Sequence, residues 1–144
     1  MKFYSLLLLS LLFPFCKSSQ KASKEPFKIE SAVWYNWSGG LAGVGGTNYE
    51  VKLSVEKSSD IEVKALMMDE KEIEISSQTF EDGFWKITAV ENRSSNDETV
   101  SPRDRKVNFR TENPTTAQIT FLKDGKEITL QISNFTKGDS KNYQ

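Results

Sequence analysis

The chain contains one cluster of side chains whose types could do chemistry. Its four carboxylates are Asp69, Glu70, Glu72 and Glu74. Hard metal ions take carboxylate oxygens as ligands, and glycoside hydrolysis uses a pair of carboxyl groups. The pattern argues against both, because Glu72 and Glu74 alternate with Ile73 and Ile75. In a strand, this alternation places the two glutamates on the face opposite the isoleucines, where solvated charge is expected. We therefore predict no metal site and no catalytic site here.

Other catalytic chemistry has few residues to draw on. The chain has no histidine and a single cysteine, Cys16, which lies outside the segment expected to fold. Histidine general-base chemistry is excluded, and thiol catalysis has no candidate within the domain. We predict no cofactor and expect that the protein is not an enzyme. A carboxylate-dependent hydrolase of glycan is the alternative.

Residues 34–49 are the strongest candidate for a binding surface. Five of the eight glycines of the chain lie here, beside aromatic residues. Glycine lets a backbone approach a ligand closely, and aromatic rings supply flat apolar area. The candidate binding residues are Trp37, Leu41, Val44 and Tyr49. The alternative is a plain connection between two strands, with Trp34 and Tyr49 in the core and Leu41 and Val44 folded over one end of it.

The charge pattern excludes a nucleic-acid footprint. The chain has 19 basic and 20 acidic residues and a formal net charge of −1, and the two signs are interspersed. Nucleic-acid binding requires a basic patch or stripe. Arg103, Arg105 and Arg110 could bind an anionic partner, but Asp104 and Glu112 lie among them, so we predict a solvated, charge-balanced surface.

Alternation of apolar and polar residues predicts that the domain is all-β, and no stretch has clear helical spacing. The residues predicted to face the core are Tyr49, Val51, Leu53 and Val55; Ile61, Val63, Ala65 and Met67; Ile73 and Ile75; and Trp85, Ile87 and Ala89. A first strand is expected over residues 27–35 and a short one over 107–109. Residues 91–105 are polar and are predicted to form a long exposed loop.

The most specific local signal is the tetrapeptide Lys123-Asp124-Gly125-Lys126. Asp-Gly suits a two-residue type I′ turn, which requires positive φ at both central positions. Setting Lys123 opposite Lys126 pairs three sets of apolar residues on one face: Phe121 with Ile128, Ile119 with Leu130, and Ala117 with Ile132. Thr120 then meets Thr129, and Gln118 meets Gln131.

About eight short antiparallel strands favour a single β-sandwich, with an up-and-down β-barrel as the alternative. The domain is expected over residues 27–135, followed by a disordered tail over 136–144. A closed barrel with an internal cavity would allow the chain to carry a small apolar ligand.

The first sixteen residues read as an export signal. Lys2 leads into an apolar run over residues 6–15 that ends at Cys16. The run is too short for a membrane span, which needs about 20 apolar residues. Residues 17–26 are too polar to enter a core and are predicted to be a flexible tether.

The stretch Leu12-Phe13-Pro14-Phe15-Cys16 resembles the signal of a bacterial lipoprotein. The resemblance implies that residues 1–16 contain the leader and that Cys16 is the lipid attachment point. The rival interpretation is cleavage after Ser18 and plain secretion. The aromatic and glycine-rich segment ending in Thr47-Asn48-Tyr49 resembles an element of small lipoproteins of the Bacteroidota. In that group acidic residues after the cysteine mark transport to the outer face, and residues 17–20 have none, which implies a periplasm-facing position.

Together these patterns predict a domain anchored in the cell envelope that acts by binding. An envelope protein or a glycan is the expected partner, and contact with the membrane is expected through the lipid anchor only. The sequence does not indicate an oligomeric state.

Overall fold

A computed structural model describes residues 27–55, 60–95 and 98–144. The predicted leader, the tether and Cys16 lie outside these residues. The described residues form nine strands and no helix. The strands are β1 Phe27–Ser38, β2 Gly45–Val55, β3 Ile61–Met68, β4 Lys71–Glu81, β5 Phe84–Asn92, β6 Ala117–Lys123, β7 Lys126–Gln131, β8 Phe135–Lys137 and β9 Lys141–Asn142. The all-β prediction is confirmed.

The strands form one open sheet in the order β7-β6-β3-β4-β5-β2-β1-β8, and β9 also pairs with β1. The fold is sandwich-like and is not a closed barrel, so the barrel alternative is wrong. β8 and β9 run parallel to β1, whereas the sequence pattern predicted antiparallel strands throughout. The sheet is therefore mixed.

The sheet bends at β4, which gives the fold its two facing halves. The first three residues of β4 pair with β3, and residues 74–81 pair with β5. Where β3 and β4 separate, the Gln78 amide bridges them: its Nε2 donates to Ile61 O at 2.7 Å and its Oε1 accepts from Val63 N at 3.1 Å. The halves meet across the core, where the Phe27 and Phe121 ring centroids lie 4.7 Å apart.

The two edges of the open sheet that would have to pair to close a barrel are β7 and the start of β1. A cleft of about 450 Å³ separates them. After β7 the chain turns inward at Ile132, which is buried, and then adds β8 to the outer edge of β1 from Ala32 onward. The first residues of β1 and the outer edge of β7 therefore both lack a strand neighbour along this cleft.

Alternation predicted most of the core correctly. Tyr49, Val51 and Leu53 of β2 and Ile87 and Ala89 of β5 are fully buried. These five side chains lie on one face because successive strand residues point to opposite faces of the sheet. They form the central wall of the hydrophobic core.

In β3 the predicted core face is wrong beyond its third residue. The register with β6 shifts between Val63 and Ala65, so Lys64 is an extra residue on this strand. Such a β-bulge moves every later side chain to the other face. Leu66 and Met68 are consequently buried, in place of Ala65 and Met67.

The β6–β7 hairpin confirms the predicted register at every pair from Lys123↔Lys126 to Gln118↔Gln131. Asp124 and Gly125 have φ values of 50° and 72°, as a type I′ turn requires. The Thr120 and Thr129 hydroxyls lie 2.9 Å apart on the exposed face. Ile132 N also donates to Ala117 O, which extends the pairing by one residue.

Three predictions for the second half of the chain differ from the structure. Residues 91–105 are not all an exposed loop, because Glu91 and Asn92 end β5 and Glu91 is buried. Residues 107–109 form no strand. The tail predicted to be disordered instead supplies most of β8 and all of β9, because the free edge of β1 offers it backbone hydrogen-bonding partners.

Candidate functional site

The glycine-rich connection over residues 39–44 lies at one end of the sheet, which we call the glycine-rich end. The β3–β4 turn at Asp69 and Glu70 lies at the same end, because β1, β3 and β5 all finish there and β2 and β4 begin there. Residues 105–113 cross this end. Asn36 of β1 holds that crossing segment through a 2.8 Å hydrogen bond from Nδ2 to Arg110 O.

Three apolar side chains lie at this end: Leu41 and Tyr143 are exposed, and Trp37 is partly buried. We call them the apolar end surface. The Leu41 side chain is 76% exposed and that of Tyr143 is 50% exposed. The Tyr143 ring lies edge-on to the Trp37 ring, with centroids 6.3 Å apart. β9 places Tyr143 here by pairing with β1, and Gly40 lies against the backbone of residues 143–144.

The glycines of this end serve close packing of the chain. A Cβ on Gly46 would lie 2.3 Å from Glu91 O and 2.8 Å from Trp37 Nε1. A Cβ on Gly45 would lie 2.6 Å from Trp37 O. All three distances are shorter than a real Cβ contact allows. The Trp37 side chain and the β5 backbone therefore occupy the space that the missing side chains leave, so these two glycines do not form a ligand cradle.

Val44 and Tyr49 were also predicted to be binding residues, but they do not belong to the apolar end surface. Val44 is partly buried beneath the connection, where Gly39 N donates to Val44 O at 2.9 Å and closes the turn. Tyr49 is fully buried in the core. Of the four nominated binding residues, only Trp37 and Leu41 belong to the apolar end surface.

A polar network lies beneath the glycine-rich end and is centred on Glu91. The Tyr49 hydroxyl donates to Glu91 Oε2 at 2.9 Å, Lys71 Nζ donates to Oε1 at 3.0 Å, and Arg93 donates to Oε2 at 2.7 Å and 3.0 Å. Burial alone would raise the pKa of Glu91, but the hydrogen bonds from Lys71, Arg93 and Tyr49 outweigh it and the pKa is lowered. The carboxylate is ionised and fully paired.

A second ion pair fastens the crossing segment to the β3–β4 turn. Arg110 Nη2 donates to Asp69 Oδ2 at 2.7 Å, and Asp69 Oδ1 accepts from Thr115 N and Oγ1. These bonds outweigh the effect of burial and lower the pKa of Asp69 to about 2. Arg110 also lies over the Tyr49 ring, 5.7 Å from its centroid. The prediction of a solvated Arg110 is wrong, since its side chain is 11% exposed.

This network is built to hold structure and not to transfer protons. A general acid in glycoside hydrolysis needs a carboxyl group whose pKa is raised, whereas the pKa values of Glu91 and Asp69 are both lowered. Both oxygens of each carboxylate are occupied by donors from the protein. Among the described residues, no group of three or more acidic, cysteine or histidine side chains could hold a metal ion.

Sequence reasoning missed Tyr143 and Glu91, and no signal in the sequence marked either. Ser38 and Asn142, which bring β9 to this end, are 104 positions apart and are joined by a 2.6 Å hydrogen bond. Glu91 lies in a polar run that resembles an ordinary loop. Its burial depends on donors from three different parts of the chain.

No protein-family model matches the chain, and no curated protein or solved structure matches it either. The search for helices long and apolar enough to cross a membrane found none in the ranges that the structure describes.

Proposed function

We propose that this protein is a lipoprotein of the bacterial cell envelope, anchored through Cys16, whose β-domain binds another envelope component through the apolar end surface. The observation that carries the proposal is the exposure of Leu41 and Tyr143 beside Trp37. The expected partner is an envelope protein or a glycan. The leader-like residues 1–16 support the anchored location, most simply on the periplasmic side.

The apolar end surface has the properties of a recognition site. Both exposed side chains project from hydrogen-bonded backbone. The turn that carries Leu41 is closed by bonds from Gly39 N to Val44 O and from Val44 N to Leu41 O, and Tyr143 N donates to Ser38 O. Exposed aromatic and aliphatic groups on a rigid support lose little conformational entropy on binding, and Trp and Tyr are enriched among the residues that dominate binding energy. Leu41 and Tyr143 are therefore the residues that we expect a partner to cover.

Two alternatives receive no support from the geometry. A glycan hydrolase needs a carboxyl group with a raised pKa, and the pKa values of the buried Glu91 and the exposed Asp69 are both lowered. A carrier of small apolar ligands was expected only for a closed barrel, and this sheet is open. Binding without catalysis is the function that we retain.

The test begins with native mass spectrometry of the full chain, extracted in mild detergent from its own host. We expect a diacyl or triacyl mass on Cys16 and a retained companion. Leu41→Ser and Tyr143→Ser should each lower retention of that companion, because each removes apolar area that the partner covers. Leu122→Ser is the control: Leu122 is partly exposed on β6 and lies at the opposite end of the sheet.

Two outcomes would contradict the proposal. An unmodified mature chain that begins near Ser19 would remove the anchor and leave a secreted protein. Equal retention of the companion by the Leu41, Tyr143 and Leu122 variants would remove the apolar end surface as the binding site. Circular dichroism of each variant checks that the fold is intact.

A further inference from the structure

The tip of the β4–β5 hairpin carries an aromatic group that the core does not explain. Phe80 is 46% exposed and Phe84 is 37% exposed. Phe80 lies opposite Trp85, with ring centroids 5.3 Å apart, and Phe84 lies opposite Glu81. Since directly opposed residues share a face and successive residues alternate, Phe80 and Phe84 project from opposite faces of the hairpin. A strand that only packs on a core needs apolar residues on one face, so the second exposed ring requires another explanation.

This hairpin tip lies at the end of the sheet where the described domain begins. Phe27, the first residue of β1, pairs with Val55 of β2, and the adjacent Ser54 pairs with Phe84 of β5. Two strand spacings therefore separate Phe27 from Phe84, roughly 10 Å. The glycine-rich end, with its apolar end surface, is the opposite end of the same strands.

The chain ahead of Phe27 limits how far this end can lie from an anchor at Cys16. Ten residues, 17–26, stand between them, and a fully extended chain of that length reaches at most about 36 Å. A link this short holds an attached group at an effective concentration in the millimolar range. A contact too weak to form between free molecules would then be populated.

We infer that the hairpin tip, through Phe80 and Phe84, rests in the interfacial layer of the bilayer to which the chain is anchored. Exposed Phe side chains enter the boundary between headgroups and acyl chains when they are held beside it. Lys52, Glu81, Asp82 and Lys86 line the surface beside Phe84. Their charges balance, so the tip gains no attraction from an anionic surface and a zwitterionic one suits it equally well. The inference rests on the anchor in the proposed function. It adds a second membrane contact that orients the domain, whereas the sequence pattern led us to expect contact through the lipid anchor only.

With the tip on the membrane, the apolar end surface faces away from it. The strands span from Phe27 to Ser38 in β1, a strand of 12 residues. At about 3.3 Å per residue, that length is roughly 40 Å. Leu41 and Tyr143 are thereby presented at a distance from the bilayer, where a partner can reach them.

The test uses the full acylated chain in phosphatidylcholine vesicles that carry bromine atoms on the acyl chains near the headgroups. Flotation and the acyl mass on Cys16 establish anchoring first. Trp85 then serves as the reporter, and its emission is obtained by comparison with Trp85→Phe. We expect the bromines to quench Trp85, Phe84→Ser to lose that quenching, and Phe109→Ser to retain it. Phe109 is 39% exposed and lies in the segment that crosses the opposite end.

Each result decides the inference. Quenching of the wild type that is lost in Phe84→Ser and kept in Phe109→Ser supports it. An anchored chain with unquenched Trp85, or equal quenching in Phe84→Ser, overturns it and leaves the proposed function standing. Absence of an acyl mass overturns the anchor and the inference together. Phe80→Ser is a second variant, and it should behave as Phe84→Ser does.

Discussion

At the scale of single residues, Glu91 shows how a carboxylate can be kept charged inside a protein. Its side chain is 8% exposed, yet it accepts hydrogen bonds from Lys71, Arg93 and Tyr49. Burying an ion is unfavourable unless its charge is paired and its lone pairs are occupied. The same arginine also holds the crossing segment, because Arg93 Nη1 donates to Asn108 O at 3.4 Å.

We expect Glu91→Gln to destabilise the domain by about 1–3 kcal/mol, the range for leaving buried hydrogen-bonding groups unsatisfied. The amide nitrogen would face donors that need an acceptor, although Lys71, which is 62% exposed, can turn to water. Urea unfolding at neutral pH measures the change. Glu72→Gln is the control and should stay within about 0.5 kcal/mol of wild type, since Glu72 is exposed. Equal effects of the two substitutions on the free energy of unfolding would show that the Glu91 network contributes nothing to stability.

Residue identities predicted the core far better than they predicted the polar sites. Tyr49 and Ile87 were correctly placed because alternation is a local property of the chain. The Asp69 and Arg110 pair joins residues 41 positions apart, and no local pattern links them. Trp37 and Leu41 could be nominated from their types, but their neighbour Tyr143 could not.

At the scale of elements, the sequence correctly predicted the pairing of β6 with β7, where a turn fixes the register. It predicted the wrong core face for β3, where a bulge changes the register. Asp124 and Gly125 determine the pairing of β6 with β7 without help from the rest of the fold. The extra residue Lys64 in β3 is accommodated only because the partner strand β6 and the Gln78 side chain fix the register on both sides. That information is non-local, so alternation alone placed Ala65 and Met67 on the wrong face.

Two glycines of the glycine-rich end, Gly46 in β2 and Gly40 in the connection, give a paired prediction. Gly46→Ala should cost at least about 2 kcal/mol, because its Cβ would meet the β5 backbone and the Trp37 ring, and overpacking has costs of this order. Gly40→Ala should be neutral or stabilising by up to about 1 kcal/mol, because its nearest neighbour is 3.6 Å away and a methyl group restricts the unfolded chain. Thermal unfolding of the two variants tests this order. A more stable Gly46→Ala than Gly40→Ala would contradict the packing described for this end.

At the scale of the whole molecule, composition and pattern predicted an all-β fold with two facing halves but not its topology. The parallel pairing of β8 with β1 depends on how the chain leaves β7 at Ile132. Nothing in residues 135–142 distinguishes edge strands from a polar tail, because an edge strand needs few apolar side chains.

Stability of the domain should depend on pH only at the two extremes. The pKa of Asp69 is lowered to about 2, so its contribution to stability is fully present above pH 3.8 and is lost as the pH falls toward about 2. The pKa of Glu91 is also lowered, so its contribution is fully present above pH 4.5 and is lost as the pH falls through that lowered pKa. Burial, together with the bond to Glu91, raises the pKa of Tyr49 from 10.0 to about 12. Its contribution is present below pH 10 and is lost as the pH rises toward 12.

Urea unfolding midpoints measured across the pH range should therefore form a plateau between about pH 5 and pH 9, since the chain has no histidine to titrate within it. Tyr49→Phe should weaken the alkaline decline, and Glu91→Gln should weaken the acid decline. A steep change of the wild-type midpoint near pH 7 would show that some other group governs stability.

The parallel strand β8 also sets the time at which the domain can form. The Thr136 hydroxyl reaches Ala32 O, a residue 104 positions earlier in the chain. At a synthesis rate of roughly 5–20 residues per second, β1 waits about 5–20 s for its outer partner. During that interval the outer edge of β1 at Ala32 lacks its strand partner, and the buried Phe135 is missing from the core. A chain cut short before residue 135 would keep that edge open permanently.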